Sequence, residues 1–386
     1  MNDKTIHYLK ITNFKSIDSL EIKGLASFSV FAGANGCGKS NFFDALDFIR
    51  TFIESGIEVA LRSHGRYENI HSEKRKAKYA RRFDFEIHCD LPYNDLPYNR
   101  EGRTENQATF QYILRIHELD KTPTIEEQLS IDGVLCLGRN KDGLHNIWNT
   151  HLFNKCPSSY SALIMFPDLP IAQLLRNIKL YRIDPLGAKE PDQTDQDPFL
   201  LDRKGHNLAS VLNRLEQNEN VRRAILDCME LIVPGVEKIQ TEHQQIDSKT
   251  AVLFKEVGTR RRFPAHMVSD GTIYALCLLV AVLDSKNGYG LTLIEEPERG
   301  LHPKAIRELV GLIRQQTTAA NPIWMSTHSE TVVRQLHLQE LMLVDKEDGR
   351  TRMKSADSGN ITQENLAPLG LDEAWLSNLL GGGIPW

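Results

Sequence analysis

The chain has 386 residues, of which 41% are hydrophobic and 25% are charged, and its formal net charge is −5. These proportions are ordinary for a globular protein, and the length allows one large core with an inserted lobe, or two to three domains. The negative net charge excludes a protein that is basic throughout, so any binding of nucleic acid would depend on local patches of charge.

The cysteine positions and the apolar runs indicate a cellular compartment. The six cysteines (37, 89, 136, 156, 228 and 277) are scattered without a C-x-x-C pair. This spacing predicts free thiols in a reducing compartment, without a disulfide framework or a zinc site. The N-terminus lacks a signal-peptide h-region, and no stretch approaches the ~18 uncharged apolar residues of a membrane span. We therefore expect a cytoplasmic protein that makes no contact with a membrane.

The first half of the chain predicts strands, one helix and a loop-rich segment. Alternating residues over 6–11 and 20–22 predict two short strands joined by a turn, and 26–32 predicts a buried strand. Helical spacing of apolar residues follows over 41–53. Strand-like alternation returns over 83–87 and 110–116. Residues 90–200 are rich in Asn, Asp, Pro and Gly, and we interpret them as an inserted α+β lobe with long loops.

The second half of the chain alternates between helices and strands. The predicted helices cover 207–215, 220–232, 271–284, 303–316 and 329–336, and the predicted strands cover 291–295, 322–326 and 341–345. Asp348-Gly349 predicts a hairpin turn after the last of these strands. This alternation predicts an α/β fold with a mixed, largely parallel sheet and helices on both faces.

Residues 33–40 read Gly-Ala-Asn-Gly-Cys-Gly-Lys-Ser and match G-x-x-x-x-G-K-[ST] at every fixed position. Glycines let backbone N–H groups curl around phosphate oxygens, and the start of the following helix adds its positive end. In this motif Lys39 would reach the β- and γ-phosphates of ATP, and the Ser40 hydroxyl would bind Mg²⁺. A strand before the motif and a helix after it favour a phosphate-binding loop over a glycine-rich turn.

Two carboxylates, Glu295 and Glu296, follow the apolar strand 291–294. Ligands bind at the carboxyl ends of strands in open α/β sheets. We assign Glu295 to the Mg²⁺ shell and Glu296 to the attacking water, because phosphoryl transfer depends on positioning and charge neutralisation. A solvated strand end is the alternative for this pair alone, and the upstream Lys39 favours the catalytic interpretation.

Several ordered motifs resemble one superfamily. They are Asn13-Phe14-Lys15-Ser16, Asn35-Gly36-x-Gly38-Lys39-Ser40-Asn41, the stretch 205–212, Ser269-Asp270-Gly271-Thr272, Ile294-Glu295-Glu296-Pro297-Glu298 with Leu301-His302-Pro303, and Ser326-Thr327-His328-Ser329. Together they resemble the ABC-type ATPase domain of OLD/RecF/SMC-like proteins, most closely the stand-alone AAA-family ATPases of bacterial defence systems. The resemblance covers both ends of the chain well and residues 90–200 poorly.

The resemblance implies a P-loop NTPase fold of the ABC-ATPase type and a homodimer, or higher oligomer, that closes on two ATP molecules. It implies contacts to the nucleotide from Gly33, Asn35, Gly36, Cys37, Gly38, Lys39, Ser40, Asn41 and Lys15, and in trans from Ser269 and Gly271. It implies catalytic roles for Glu296, His328 and Lys39, and Mg²⁺ ligation by Ser40 and Glu295. The corresponding domain division is an N-terminal half of the ATPase domain (1–89), the inserted lobe (90–200) and a C-terminal half with a helical subdomain (201–386).

The sequence departs from the family pattern at three points. Glu295 stands where ABC proteins more often have Asp, which lengthens the side chain, and Asp270 replaces the second glycine of the transporter-type signature. The Q-loop glutamine has no clear match, and Gln173 is the candidate we name. Because only 58 residues follow His328, we expect no TOPRIM nuclease domain in that stretch.

Two further segments leave alternatives open. Residues 62–82 hold eight Lys or Arg against two acidic residues, which predicts either contact with DNA or RNA phosphates or a solvated loop. The C-terminal stretch 375–386 ends in three glycines and Ile-Pro-Trp. It predicts either a docking peptide or a tail that packs on its own domain.

These features lead to one main hypothesis and two alternatives. The main hypothesis is an ATPase that acts as the sensor or scaffold of a bacterial anti-phage defence module, with a separately encoded effector such as a nuclease or toxin. The first alternative is a DNA-repair ATPase that clamps DNA through 62–82. The second is a slow nucleotide-gated scaffold, in which Glu295 compromises Mg²⁺ binding.

Overall fold

The structure, a computed structural model, describes residues 5–73, 81–93, 107–141, 143–146, 156–193, 200–244, 248–284, 288–358, 366 and 369–384. Its strands are Ile6–Phe14 (β1), Ile17–Leu25 (β2), Phe28–Ala32 (β3), Phe83–Pro92 (β4), Gln107–His117 (β5), Thr124–Ile131 (β6), Val134–Asn140 (β7), Gly143–Asn146 (β8), Ile178–Tyr181 (β9), Asp192–Gln193 (β10), Val236–Gln244 (β11), Lys249–Glu256 (β12), Phe263–Pro264 (β13), Leu291–Glu295 (β14), Ile323–Thr327 (β15), Leu341–Glu347 (β16) and Arg350–Ser355 (β17).

The described residues also form helices, most of which lie between these strands in the sequence. They are Lys39–Ser55 (α1), Ile57–Ser63 (α2), Arg66–Ile70 (α3), Pro170–Arg176 (α4), Pro185–Ala188 (α5), Leu208–Glu216 (α6), Glu219–Ile232 (α7), Asp270–Leu283 (α8), Pro303–Gln316 (α9), Glu330–Val333 (α10) and Leu371–Leu376 (α11). Single 3₁₀ turns cover Ala162–Met165, Ala265–Met267, Leu338–Glu340 and Ala356–Ser358.

A parallel sheet with one antiparallel edge strand forms the centre of the fold, in the order β17-β16-β3-β15-β14-β9. Neighbouring strands from β16 to β9 run parallel, and β17 pairs with β16 as an antiparallel hairpin. The hairpin turn at Asp348-Gly349 is confirmed, and both residues have the positive φ angles that such a turn requires. The predicted α/β fold class is therefore confirmed.

Alternation along the central strands separates two hydrophobic cores. Phe31 and Trp324 face one core, which also contains α1 and the strands of an antiparallel sheet. Val30 and Met325, their neighbours in sequence, face the other core with α6 to α9. Because side chains alternate between two covered faces, β3, β14 and β15 are buried along almost their whole length and are mostly apolar.

An antiparallel sheet of seven strands, in the order β2-β1-β4-β5-β6-β7-β8, covers the α1 side. The predicted strands at the N-terminus and at 83–87 and 110–116 are confirmed, and each is longer than the alternation indicated. Strands β6 to β8 were not predicted. They extend the sheet that begins at the N-terminus, and β9 enters the central sheet, so both parts of 90–200 join sheets that other segments build. The division at 89 and 200 stays a prediction.

The second half of the chain follows the prediction closely, except that strands β11 to β13 and helix α11 were not predicted. Helices α6 to α9 and strands β14 to β16 begin and end within two residues of their predicted bounds, whereas α10 is four residues long rather than eight. The hairpin of β11 and β12, which pair over Val236–Glu256, was not predicted. With β10 and β13 it forms a small sheet beside α6.

The C-terminal stretch packs on its own domain as far as the structure describes it. Trp375 is fully buried, and its indole N–H donates to the carbonyl of Gly383. The Gly383 amide donates to Asp345 Oδ1 at 2.7 Å. Residues 385–386 of the predicted docking peptide lie outside the described residues.

None of the helices in the described ranges is both long and apolar enough to cross a membrane.

Candidate functional site

The register of the central sheet brings the predicted motifs to one edge. Parallel pairing sets Ala32 opposite Thr327, and Ile294 opposite Tyr181. The main-chain amide of Glu296 continues this pattern by donating to Ser326 at 2.9 Å. Residues that directly follow β3, β15, β14 and β9 therefore meet at the carboxyl edge, where open α/β sheets bind ligands.

The glycine-rich segment between β3 and α1 forms a compact loop. The Lys39 ammonium group donates to the carbonyls of Gly33 at 2.7 Å and Ala34 at 2.8 Å, while Asn35 and Gly36 are exposed. Gly38 caps α1 with φ of 109°, and a Cβ there would lie 1.9 Å from Thr351 Oγ1. Only glycine fits this position, because both the angle and the contact exclude a side chain.

Other residues that were predicted to contact the nucleotide interact with protein side chains in the structure. Asn41 donates to the hydroxyl of Ser16 at 2.7 Å, and the thiol of Cys37 is buried 3.8 Å from the Lys39 ammonium group. Burial raises the pKa of Cys37, which outweighs the opposite effect of Lys39. The ammonium group of Lys15 lies 2.6 Å from Asp44 Oδ2, beside the first turns of α1. Nucleotide binding by these residues stays a prediction.

Ser40 and Glu295 meet although 255 residues separate them, with Ser40 Oγ 3.3 Å from Glu295 Oε2. A hydroxyl and a carboxylate oxygen are hard ligands, which Mg²⁺ prefers. Within the described residues no group of three or more His, Cys, Asp and Glu could hold a metal by itself. This donor set fits Mg²⁺, which usually takes few protein ligands and completes its shell with phosphate oxygens and water.

Glu296, His328 and Glu298 form a second group at the same edge. Glu296 has a left-handed backbone with φ of 50°, and its Oε1 lies 3.4 Å from His328 Nδ1. Glu298 Oε1 accepts from the Thr327 hydroxyl at 2.7 Å and from the His328 amide at 3.4 Å. Burial raises the pKa of Glu298, and Oε2 of this carboxyl is buried without a hydrogen-bond partner among the described residues. The arrangement sets a carboxylate beside an imidazole at the strand ends.

The predicted signature segment begins α8. Ser269 caps the helix, its exposed side chain accepts from the Thr272 amide at 3.1 Å, and Asp270 pairs with Lys189. A Cβ on Gly271 would lie 2.3 Å from the Gly300 carbonyl oxygen, so this glycine permits close approach to the segment after Glu296. Whether Ser269 and Gly271 act across a dimer interface stays a prediction.

Sequence reasoning missed several charged residues at the site. Arg182 directly follows β9, and its Nη2 lies 2.6 Å from Glu295 Oε1 and 2.9 Å from Asp44 Oδ1. Arg203 Nη2 lies 3.1 Å from the same Asp44 oxygen. Burial acts to raise the pKa of Asp44, but the hydrogen bond from Lys15 and the charges of Arg182 and Arg203 lower it overall. The available signal for Arg182 was the segment Ile178-Lys179-Leu180-Tyr181, a short and mostly apolar strand that ends at this charged residue, but the segment does not indicate which residue Arg182 contacts.

The proposed Q-loop candidate does not belong to the site. Gln173 lies on α4, and a Cβ on Gly288 would be 3.3 Å from its Oε1. Gly288 precedes the amino end of β14, whereas Glu295 ends the strand. Gln173 therefore lies at the opposite edge of the sheet, and this assignment was wrong.

The basic stretch 62–82 is described only in part. Residues 74–80, which include Lys74, Arg75, Lys76 and Lys78, lie outside the described residues. Arg81 pairs with Asp120 at 3.0 Å, and Arg82 pairs with Asp84. These two cations therefore have acidic partners on the protein, and contact with nucleic acid stays a prediction.

The chain matches the family model described as "AAA domain, putative AbiEii toxin, Type IV TA system" over residues 28–109 and 171–334, well over half of its length. It belongs to this AAA-domain family. The two matched stretches contain the phosphate loop, Glu295, Glu296 and His328, and 110–170 lies between them. No curated protein matches the chain.

The fold is similar to that of SMC head domains, which are P-loop ATPases of the ABC type. The Smc head with an extended coiled coil bound to the C-terminal domain of ScpA, derived from Pyrococcus furiosus, matches with a TM-score of 0.55 and 13% identity over 95% of this chain and 98% of that one. The SmcHead bound to the C-winged helix domain of ScpA matches with a TM-score of 0.53 and 15% identity over 90% and 97% of the two chains. The expected P-loop fold of the ABC-ATPase type is thus confirmed.

Proposed function

We propose that this chain binds ATP with Mg²⁺ and hydrolyses it to ADP and phosphate. The proposal rests on the contact between Ser40 and Glu295, whose side-chain oxygens lie 3.3 Å apart. Glu295 ends strand β14, and Glu296 is the next residue in the chain. A phosphate loop, a metal-binding pair and a second carboxylate at one sheet edge are the parts that P-loop ATPases use.

In this proposal the phosphate loop binds and orients the triphosphate. Lys39 is 7% exposed, and its ammonium group bonds to loop carbonyls. It would exchange these bonds for the β- and γ-phosphates, where a charge-assisted hydrogen bond is stronger. Bound by Ser40 and Glu295, Mg²⁺ would neutralise charge on the phosphate oxygens.

Hydrolysis would depend on Glu296 and His328. The carboxylate of Glu296 is the candidate to hold and polarise the attacking water, and His328 Nδ1 at 3.4 Å is close enough to orient this carboxylate. Glu298 and Thr327 fix the main chain that carries His328. These residues would restrict the water to one approach, since phosphoryl transfer requires in-line attack.

We further propose that ATP closes a homodimer in which Ser269 and Gly271 of one subunit complete the site of the other. The exposed Ser269 at the N-terminus of α8, a helix of 14 residues, supports this role because an exposed helix N-terminus attracts anions. The domain division at 89 and 200 and the nucleotide contacts of Lys15 and Asn41 are part of the same proposal.

As a biological role we propose the sensor or scaffold of a bacterial defence module that controls a separately encoded effector. Membership of a family whose description refers to a toxin and a toxin–antitoxin system supports this proposal. ATP-dependent opening and closing would then be the signal that the effector receives.

The test is calorimetric titration of ATP and Mg²⁺ into wild type, Lys39→Ala and Lys10→Ala. Lys39→Ala should abolish binding, because the triphosphate loses its cation in the loop. Lys10 pairs with Glu21 on the N-terminal hairpin and serves as the control, so Lys10→Ala should bind like wild type. Unchanged affinity in Lys39→Ala, or no binding by wild type, would contradict the proposed function.

A further inference from the structure

We propose that Arg182 is a positioning residue that orients the carboxylate of Glu295 toward Mg²⁺, an inference that rests on the proposed function. Arg182 precedes Glu295 by 113 residues and belongs to neither the phosphate-loop motif nor the strand motif. The parallel pairing of β9 with β14 brings the two residues together.

The two oxygens of Glu295 have different partners. Oε1 accepts from Arg182 Nη2 at 2.6 Å, and Oε2 accepts from Ser40 Oγ at 3.3 Å. The guanidinium group therefore holds one oxygen and leaves the other facing the hydroxyl that would share the metal ion. Glu295 is 13% and Arg182 31% exposed, so this pair is shielded better than a surface ion pair.

Asp44 fixes Arg182 from the opposite side. Asp44 lies on α1 one turn after Ser40, and its Oδ1 is 2.9 Å from Arg182 Nη2. Arg182 also lies 3.4 Å from the main-chain carbonyl oxygen of Ser40. The guanidinium group thus spans from α1 to the end of β14, and it links the orientation of Glu295 to the helix that begins at the phosphate loop.

The length of the Glu295 side chain explains why this residue benefits from such an anchor. Glutamate has one more rotatable bond than aspartate, so a free carboxylate at a strand end loses more conformational freedom when it binds a metal. A hydrogen-bonding partner that holds a metal ligand typically changes metal affinity by about 10-fold to 100-fold. Arg182 would supply this restraint.

Two other roles for Arg182 predict different results. If Arg182 competed with Mg²⁺ for Glu295, its removal would lower the Mg²⁺ concentration needed for nucleotide binding. If Arg182 bound the triphosphate directly, its removal would weaken binding in the absence of Mg²⁺ as well. The dependence of binding on Mg²⁺ therefore separates the three roles.

The experiment measures the affinity for the non-hydrolysable analogue adenylyl imidodiphosphate across a Mg²⁺ series and in EDTA. The variants are Arg182→Met, Arg182→Lys, Glu295→Gln and the double variant Arg182→Met/Glu295→Gln. Arg214→Met is the matched control, because Arg214 Nη2 pairs with Asp284 at 2.6 Å and the exposures, 33% and 11%, are nearly those of Arg182 and Glu295. Thermal melting of each variant checks that it is folded.

We expect Arg182→Met to raise the Mg²⁺ concentration for half-maximal binding by about 10-fold while binding in EDTA stays as in wild type. The Mg²⁺ concentration that Arg182→Lys requires should fall between those of wild type and Arg182→Met, since lysine keeps the charge and loses the planar fork. The double variant should require the same Mg²⁺ concentration as Glu295→Gln, because the two residues act through one carboxylate. Arg214→Met should leave the Mg²⁺ dependence unchanged.

A lower Mg²⁺ requirement in Arg182→Met, a loss of affinity in EDTA, or additive effects in the double variant would each overturn the positioning role while ATP binding itself remains. Should Arg182→Met fail to fold, the comparison of Arg182→Lys in the wild-type and Glu295→Gln backgrounds decides the same question. A wild type that does not bind the analogue would instead remove the proposed function, and this role of Arg182 with it.

Discussion

The hydroxyl group of Tyr274 lies 2.7 Å from the main-chain carbonyl oxygen of Glu296. It is also 3.0 Å from the carbonyl oxygen of Glu295, so one donor serves both peptide groups. Tyr274 is 1% exposed on α8, the helix that begins at the signature segment. The contact joins this helix to the turn in which Glu296 adopts a left-handed conformation, which costs a non-glycine residue about 1–3 kcal/mol.

Tyr274→Phe should slow hydrolysis without preventing ATP binding. Removing the hydroxyl releases the turn that aims Glu296, and a displacement of ~1 Å near reacting groups can cost about 100-fold in rate. The lost hydrogen bond should lower the free energy of unfolding by about 1 kcal/mol. Phosphate release at saturating ATP and denaturant titration measure the two effects.

Tyr289→Phe is the control for this variant, because the Tyr289 hydroxyl donates to the carbonyl of Pro92 and contacts neither glutamate. It should lose stability in the same way and keep the wild-type rate. Equal rates in the two variants would show that the Tyr274 hydroxyl supports the fold alone.

Glu296→Gln should bind ATP and fail to hydrolyse it, since the amide keeps the shape of the side chain and cannot act as a base. With ATP and Mg²⁺ the variant should accumulate as a stable dimer, which light scattering detects. Wild-type turnover in Glu296→Gln would mean that another group activates the water, and Glu298 would then be the next residue to test.

The unfolding free energy should depend on pH through Glu298, whose side chain is 9% exposed. Burial raises the pKa of Glu298 in the folded state above the ordinary 4.5, which applies to the unfolded state. At pH values between the unfolded and the folded pKa, the folded state therefore binds more protons than the unfolded state. Stability from this group is therefore present at acidic pH and is lost as pH rises through the folded pKa. Relative to wild type, Glu298→Gln should become more stable between pH 4 and pH 7.5, as denaturant titration at several pH values would measure. If the difference in unfolding free energy between Glu298→Gln and wild type stayed constant across this range, the Glu298 carboxyl group would not titrate in this way. Glu347→Gln serves as the control, because Glu347 is exposed.

The sequence predicted the elements that carry local signals. Helix α9 was predicted with its observed bounds, because a Pro at the first helical position and apolar residues at helical spacing mark it. The hairpin of β11 and β12 was missed because its first strand is mostly polar and half-exposed, so apolar alternation is weak. Alternation of apolar and polar residues arises when one face of a strand is buried, so a strand that is largely exposed shows little alternation.

The candidate site was predictable where residues adjoin a motif. Ser40 lies beside Glu295 and His328 lies beside Glu296, because the strands that carry these motifs end at one sheet edge. The catalytic and binding roles of these residues stay predictions. The contact of Arg182 with Glu295 could not be found in the same way, because it depends on the register of β9 against β14. More than a hundred residues separate Arg182 from Glu295 in the sequence. No local property of the sequence encodes that register.

The composite dimer makes the most demanding prediction, and it concerns Ser269. A Ser269→Arg subunit keeps its phosphate loop and cannot complete the site of its partner, whereas a Lys39→Ala subunit has the opposite defect. Each variant alone should be inactive. In a mixed dimer the intact Lys39 of one chain faces the intact Ser269 of the other, so one of the two sites is whole.

Mixing the two variants should therefore restore ATPase activity, up to about half of the wild-type rate per mixed dimer if the sites fire independently, and less if they are coupled. The measurement is phosphate release across a series of mixing ratios, with subunit exchange followed by fluorescence transfer between labelled chains. Activity should peak at equal amounts, because the mixed dimer is most abundant there. If Ser269 instead served its own subunit, every site in the mixture would lack either the loop lysine or the signature serine. Mixtures that stay inactive after proven exchange, at every ratio, would count against the composite site.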